Sequence, residues 1–309
     1  MTLSSPSYTA LANVKATIKM KTNNPKKALI VWYSQTGHTK RIGQIIADTW
    51  QKQGIKVDTS DIRNFDKKLM VGYDLIAMGS PVYYCNIPEN AAKWLNGIPK
   101  IDGTPVVSFV TFGGPGDGQE LTAAGILELL VDQGGFPVGM ETFGNMSTFA
   151  PTWSMGNEKR ILKYRHLPNQ KTYEKARKYA ETIIENICQG KPIEIKTKFN
   201  FELMLKYLPQ AWFTKLLIGH HAIDENKCIG CGTCVEKCPV DALDPTAFKV
   251  DREACIVCFG CVNNCPSQAI DMEFMGKKVY GFNTFMKQNN IVIEMPEALK
   301  HEVDHHRNN

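Results

Sequence analysis

Between residues 28 and 190, short continuous apolar runs alternate with stretches whose apolar residues recur every three or four positions. The first run, Ala28–Tyr33, has no charged position, as a strand covered on both faces requires. Thr39–Gln53 follows with Ile42, Ile45, Ile46 and Trp50 at helical spacing, and Gly54 closes it. Ile55–Ser60 alternates and predicts a second, more exposed strand. Asp74–Met78, Pro105–Phe112 and Pro137–Phe143 predict three more. Helices are predicted over Ala91–Leu95, Gln119–Gln133 and Thr172–Cys188, the last two stopped by Gly134 and Gly135 and by Gly190 and Pro192. Strands that alternate with helices give βαβ units, hence an α/β fold with a doubly wound, five-stranded parallel sheet over residues 28–190.

The flanking segments read differently. Residues 1–27 are rich in Ser, Thr and Lys, lack the apolar core of a secretory signal, and predict a loosely packed extension. Residues 191–222 form a connector in which Phe199–Ile218 carries many large apolar side chains around Pro209. Two short amphipathic helices packed between the domains are the preferred reading; a membrane-surface helix, with Lys206 and Lys215 among aromatics, and a partner groove are the others. Residues 223–272 are cysteine-rich and predict a small α+β domain. Residues 273–309 form a tail expected to pack on the body, with a strand-like run at Asn290–Glu294 and a charged end whose His301, His305 and His306 read as solvated. No apolar run reaches the ~18 residues that span a membrane, so membrane association is disfavoured.

Charge sharpens this division. The net charge of +5 hides +6 on residues 1–190, +3 on 191–222, −4 on 223–272 and 0 on 273–309. The positive charges are spread out and mixed with acids, which disfavours nucleic acid. An anionic cofactor, or an electrostatic partner for the acidic segment, fits better. Eight of the ten cysteines fall within 228–265. With no secretion signal, a reduced, cytoplasmic, metal-binding protein is expected rather than a disulfide scaffold.

Those eight form two runs: Cys228-x2-Cys231-x2-Cys234-x3-Cys238-Pro239 and Cys255-x2-Cys258-x2-Cys261-x3-Cys265-Pro266. They begin 27 residues apart, and Cys-Pro-Val-Asp-Ala-Leu after the first matches Cys-Pro-Ser-Gln-Ala-Ile after the second. The repeat implies a pseudo-two-fold module. A cubane cluster needs four thiolates; three come from one tight loop and the fourth from elsewhere. Two tetrahedral zinc sites would follow a different spacing. Residues 223–272 closely resemble the bacterial 2[4Fe–4S] ferredoxins. The resemblance implies two [4Fe–4S] clusters with crossed ligation, Cys228, Cys231, Cys234 and Cys265 on one, and Cys255, Cys258, Cys261 and Cys238 on the other. Gly230, Gly232 and Gly260 would let backbone N–H groups approach the sulfurs. Cys85 and Cys188 remain, and read as free structural thiols.

Three loops in the first half carry a second chemistry. Ser34-Gln35-Thr36-Gly37-His38-Thr39 lies between a buried strand and a helix N-terminus, where hydroxyls, free N–H groups and the helix dipole suit a phosphate. It has neither the Walker pattern nor Gly-x-Gly-x-x-Gly, so a monophosphate fits better than a triphosphate with magnesium. Gly79-Ser80-Pro81-Val82-Tyr83-Tyr84 brings tyrosines that can stack on a flat ring, and Thr111-Phe112-Gly113-Gly114 brings backbone to its edge; both follow strands, where open α/β sheets bind ligands. Asn145–Trp153 follows the fifth strand, and Phe149 or Trp153 is placed to cover such a ring or to pack as an ordinary loop. His38 reads as a capping or phosphate-adjacent residue.

Residues 28–190 resemble the flavodoxin-like proteins through Ser-x-Thr-Gly-x-Thr (34–39), Gly-Ser-Pro-Val-Tyr (79–83) and Thr-Phe-Gly-Gly (111–114). This implies non-covalent FMN held by Ser34–Thr39, Ser80–Tyr84 and Thr111–Gly114. The whole chain resembles the flavodoxin–ferredoxin fusion proteins of anaerobic bacteria. The expected function is electron transfer between FMN and two clusters, to or from a redox protein. The alternative is a cluster-fed reductase of a small-molecule acceptor, with Cys85, Tyr84 or residues 145–153 as acid or lid. A redox sensor is the third reading. No nicotinamide fingerprint is present. An oligomer is compatible with the sequence.

Overall fold

The computed structural model describes residues 18–114, 118–195 and 210–296. Most of the expected N-terminal extension, Pro115–Asp117, the first half of the connector and the histidines of the tail lie outside them.

Five strands, β1 (Lys27–Trp32), β2 (Lys56–Asp61), β3 (Leu75–Pro81), β4 (Pro105–Gly113) and β5 (Phe136–Asn145), form a parallel sheet in the order β2-β1-β3-β4-β5. The sheet is covered on both faces. Along β1, Ala28, Ile30 and Trp32 enter one apolar cluster with α1 (His38–Lys52) and α6 (Gln170–Cys188). Leu29, Val31 and Tyr33 enter the other with α2 (Glu89–Asn96) and α3 (Gly118–Asp132). This is why the β1 run lacks alternation, whereas the edge strand β2 is only half-buried. Gly79 is needed for packing: a Cβ there would stand 2.2 Å from the Phe109 ring. The ends expected from the pattern extend by a few residues, and two short helices not expected, α4 (Pro151–Ser154) and α5 (Glu158–Leu162), follow β5.

The connector differs from expectation. Gln210–Leu216 is helical (α7), but Ile218–Ile223 is a strand, β6, paired antiparallel with β9 (Ile270–Phe274), which turns back into β10 (Lys277–Lys278). Of the two short helices expected around Pro209, the second is α7, the first lies outside the described residues, and β6 was not expected. No described helix is long and apolar enough to cross a membrane, and Lys215 Nζ donates to Glu253 O at 2.8 Å. Between β6 and β9 lie α8 (Thr233–Lys237), the hairpin β7 (Leu243–Asp244) and β8 (Lys249–Val250), and α9 (Gly260–Asn264).

The tail also departs from the pattern. Asn290–Glu294 joins no sheet among the described residues; Ile291 and Ile293 pack inward and Val292 faces outward. Tyr173 Oη instead donates to Glu294 O. Ahead of it, α10 (Phe282–Gln288) was not expected.

A third apolar cluster joins the two halves. Met146, Ala150, Trp153 and Ile161 from the region after β5 pack with Val257, Phe259, Val262, Phe274 and Phe285. Trp153 stacks on Phe285 at 4.6 Å and donates its indole N–H to Tyr280 O at 2.9 Å.

Candidate functional site

The loops after β1, β3, β4 and β5 meet at the carboxyl end of the sheet and line one cleft. Ser34, Gln35, Thr36, His38 and Thr39 form one wall, Pro81, Val82, Tyr83 and Tyr84 the second, and Thr111, Phe112 and Gly113 the third. Of the expected residues, Gly37 opens into a neighbouring groove, Ser80 is buried with its hydroxyl on Pro81 O at 2.9 Å, and Gly114 lies off the cleft. Asn145, Ser147, Thr148 and Phe149 complete the rim. Trp153 does not reach the cleft, being consumed by the third cluster.

The first loop is built for an anion. Gly37 takes the left-handed conformation at the N-cap of α1 (φ 84°), and no side chain caps that helix, so its first N–H groups stay available. The Thr39 and Thr111 hydroxyls lie 2.8 Å apart and tie the first loop to the third. Ser34 Oγ, Gln35 Oε1 and His38 Nε2 are buried without a hydrogen-bond partner. Such atoms need one, and a ligand rich in hydroxyl and phosphate groups supplies it. Burial, reinforced by Arg41, pushes the His38 imidazole down to about 3, so it is neutral.

The eight cysteines separate into two groups. Cys228, Cys231, Cys234 and Cys265 line a small, largely apolar cavity with Ile223, Pro245 and Ile270. Cys261 feels the charges of Cys258, Cys255 and Cys238. Each group takes three cysteines from one run and one from the other. Burial pushes the Cys258 thiol up to about 11 and raises Cys255, Cys234 and Cys261. Thiolates buried in this way need a cationic centre beside them, which suits an iron–sulfur cluster.

The 27-residue repeat is visible in the backbone. Left-handed residues recur at Gly230 and Val257, Gly232 and Phe259, Asp241 and Gln268, and Phe248 and Met275. Ala242 N–H donates to Cys238 Sγ, and Ala269 N–H to Cys265 Sγ, each at 3.2 Å.

The two regions touch. Val257 and Cys258 form part of the cleft wall. Tyr84 Oη donates to Val257 O at 3.1 Å, and Phe149 packs edge-on against both Tyr84 and Phe259, at 6.0 and 5.3 Å. Arg63, paired with Asp61 at 2.7 Å, donates to Glu236 O at 2.8 Å and to Ser34 O at 3.3 Å. Gln35 Nε2 lies 3.0 Å from Cys258 Sγ. None of these links was expected; they join residues far apart in sequence and leave no periodic trace.

Comparison with known proteins agrees with this geometry. The family model described as "Flavodoxin domain" matches residues 29–124, and two described as "4Fe-4S binding domain" match 221–244 and 247–270. A flavodoxin of Clostridium saccharobutylicum is 26% identical over 168 residues, 53% of this chain and 98% of that protein. A flavodoxin of Aquifex aeolicus (strain VF5) is 24% identical over 123 residues, 38% of this chain and 66% of that protein. Among solved structures, a flavodoxin from the domain Archaea is 17% identical with a TM-score of 0.39, covering 52% of this chain and 98% of that one. The chain joins a flavodoxin domain to a pair of 4Fe–4S ferredoxin motifs. It carries FMN and two [4Fe–4S] clusters, and its role is electron transfer with a redox partner.

Proposed function

We propose that this chain passes electrons between FMN and two clusters in a fixed order, with the flavin innermost. In this reading residues 28–190 hold FMN through Ser34–Thr39, Ser80–Tyr84 and Thr111–Gly114. Residues 223–272 hold an inner cluster on Cys255, Cys258, Cys261 and Cys238, and an outer one on Cys228, Cys231, Cys234 and Cys265. FMN exchanges two electrons and each cluster one, so the chain converts between the two currencies.

The observation that carries the order is Cys258, a cysteine of the inner set that is also a wall of the flavin cleft. Cys231, at the matching position of the outer set, is exposed, and Ile229 beside it is 67% exposed. The outer set thus faces a partner. The net charge of −4 on residues 223–272 supports a protein with a basic face, attracted over a distance set by salt.

Flash photoreduction of the anaerobic protein tests the order. Redistribution of electrons between flavin and clusters is expected at a rate independent of protein concentration. A rate proportional to concentration would show that the two regions exchange electrons only between molecules, and would sink the reading.

A further inference from the structure

Cysteines 231 and 258 occupy the same place in the two repeats, but their sulfurs are served differently. The Thr233 hydroxyl, two residues on, lies 3.4 Å from Cys231 Sγ. The position matching Thr233 is Gly260, which has no side chain to offer. Gln35, from the flavin-site loop, takes that place. A Cβ on Gly260 would stand 2.1 Å from Gln35 Oε1, so the absence of a side chain at 260 is what admits the glutamine.

The orientation of the amide follows from its neighbours. Gln35 is 6% exposed, and its Nε2 lies 3.0 Å from Cys258 Sγ, 3.3 Å from Lys237 O and 2.5 Å from Tyr33 Oη. A thiolate and a carbonyl both accept, so the NH2 end must face them. Lys237 directly precedes Cys238, a second cysteine of the same set. The amide therefore wedges between two inner-set cysteines and points its positive end at a sulfur.

We propose that Gln35 is a positioning residue for the inner cluster: a side chain of the flavin-site loop supplies a hydrogen bond to Cys258 sulfur, and so sets the inner cluster's reduction potential. Hydrogen bonds to cluster sulfurs stabilise the more negative, reduced state and raise the potential. This inference rests on the proposed reading that the inner set holds a cluster.

EPR-monitored redox titration of the anaerobic holoprotein separates the two clusters. In Gln35→Leu the inner potential is expected to fall by about tenfold in its one-electron equilibrium, or 59 mV, with the outer one unmoved. Gly260→Ala, which keeps the amide but pushes it off the sulfur, gives the same shift, and combining the two adds nothing. Unmoved inner potentials in both variants, or equal shifts of both clusters, overturn the proposal. A measurement on the unsubstituted protein stands apart from any folding defect: with 15N in glutamine side chains, electron–nuclear double resonance should detect a nitrogen coupled to one reduced cluster. Its absence also overturns the proposal. Iron for one cluster per chain, with the inner one missing, overturns instead the reading on which it rests.

Discussion

The two halves of the cysteine-rich module share a backbone and differ in what they face. The outer repeat places Gly230 and Gly232 at its left-handed positions; the inner repeat places Val257 and Phe259 there. A side chain in that conformation costs roughly 1–2 kcal/mol, and a β-branched one is least suited to it. The inner repeat accepts the cost because both side chains are spent on the neighbouring half: each is 3% exposed, Val257 in the cleft wall and Phe259 against Phe149. The same bias runs through other pairs. Val235 is 38% exposed and its counterpart Val262 5%. Asn263 is buried, with Nδ2 on Thr148 O at 2.9 Å, while its counterpart Glu236 is open to solvent. One repeat is finished as a surface and the other as an interface, and backbone strain marks which is which.

The strongest way to break this comparison is to remove one sulfur from each side. Cys258→Ser is expected to lose about half the iron, since one of two clusters goes, and to disturb the flavin spectrum as well. Cys231→Ser should lose a similar share and leave the flavin spectrum alone. Iron, sulfide and flavin counts with absorption spectra read both; matching flavin spectra would erase the distinction between inner and outer.

Acid tests the flavin side of the interface. His38 packs against Phe282 at 5.9 Å, and Phe282 N–H donates to Asn263 of the inner repeat at 3.0 Å. Its imidazole is held at about 3 in the folded chain against 6.5 when free. It folds neutral, and only the unfolded chain takes up the proton. The stability of the FMN-free protein should thus be full above about pH 6.5 and fall, by on the order of 3 kcal/mol, as pH drops toward 3. Urea midpoints against pH should be flatter in His38→Gln; identical slopes would refute the assignment.

Phe259→Gly should cost about 2–3 kcal/mol in urea unfolding: the lost aromatic core outweighs the relief of the left-handed backbone. The smallest effects come from exchanging the paired residues. Nothing lies within 4 Å of a Cβ at Gly230, so Gly230→Val gains no contact and should cost about 1–2 kcal/mol. In Val257→Gly the relief and the lost burial nearly cancel, leaving a change within about 1 kcal/mol. Equal costs for the two would mean that the strain at Val257 is not offset by packing.

Much of this was legible in the chain. Cysteine spacing and the 27-residue repeat carry the cluster chemistry because ligand geometry dictates local spacing. The five strands were legible because burial on both faces leaves uninterrupted apolar runs, as at Ala28–Tyr33. The three loops of the cleft were legible because each follows a strand of the sheet. The joint between the halves was not. Trp153 read as a candidate lid, yet its stacking partner Phe285 lies in a helix with no strong pattern of its own. β6 was hidden because its partner β9 comes after both cysteine runs, and a strand of Ile-Gly-His-His-Ala-Ile has little alternation to betray it. Gln35 looked like one more polar residue in a phosphate loop. Its one sequence signal was indirect: a glycine at 260 where the first repeat has a threonine.

That glycine bears on interchangeability. Joined electron carriers are often treated as cassettes, with any donor fused to any acceptor through a suitable spacer. Here a transplanted ferredoxin would need a small residue opposite Gln35, bulk at the two preceding left-handed positions, which meet the flavin half, and a buried amide to meet Thr148. A chimera lacking them would keep every cluster ligand and still fail to seat against the flavin half, so compatibility between the parts is encoded in residues that lie within the cofactor motifs without being cluster ligands.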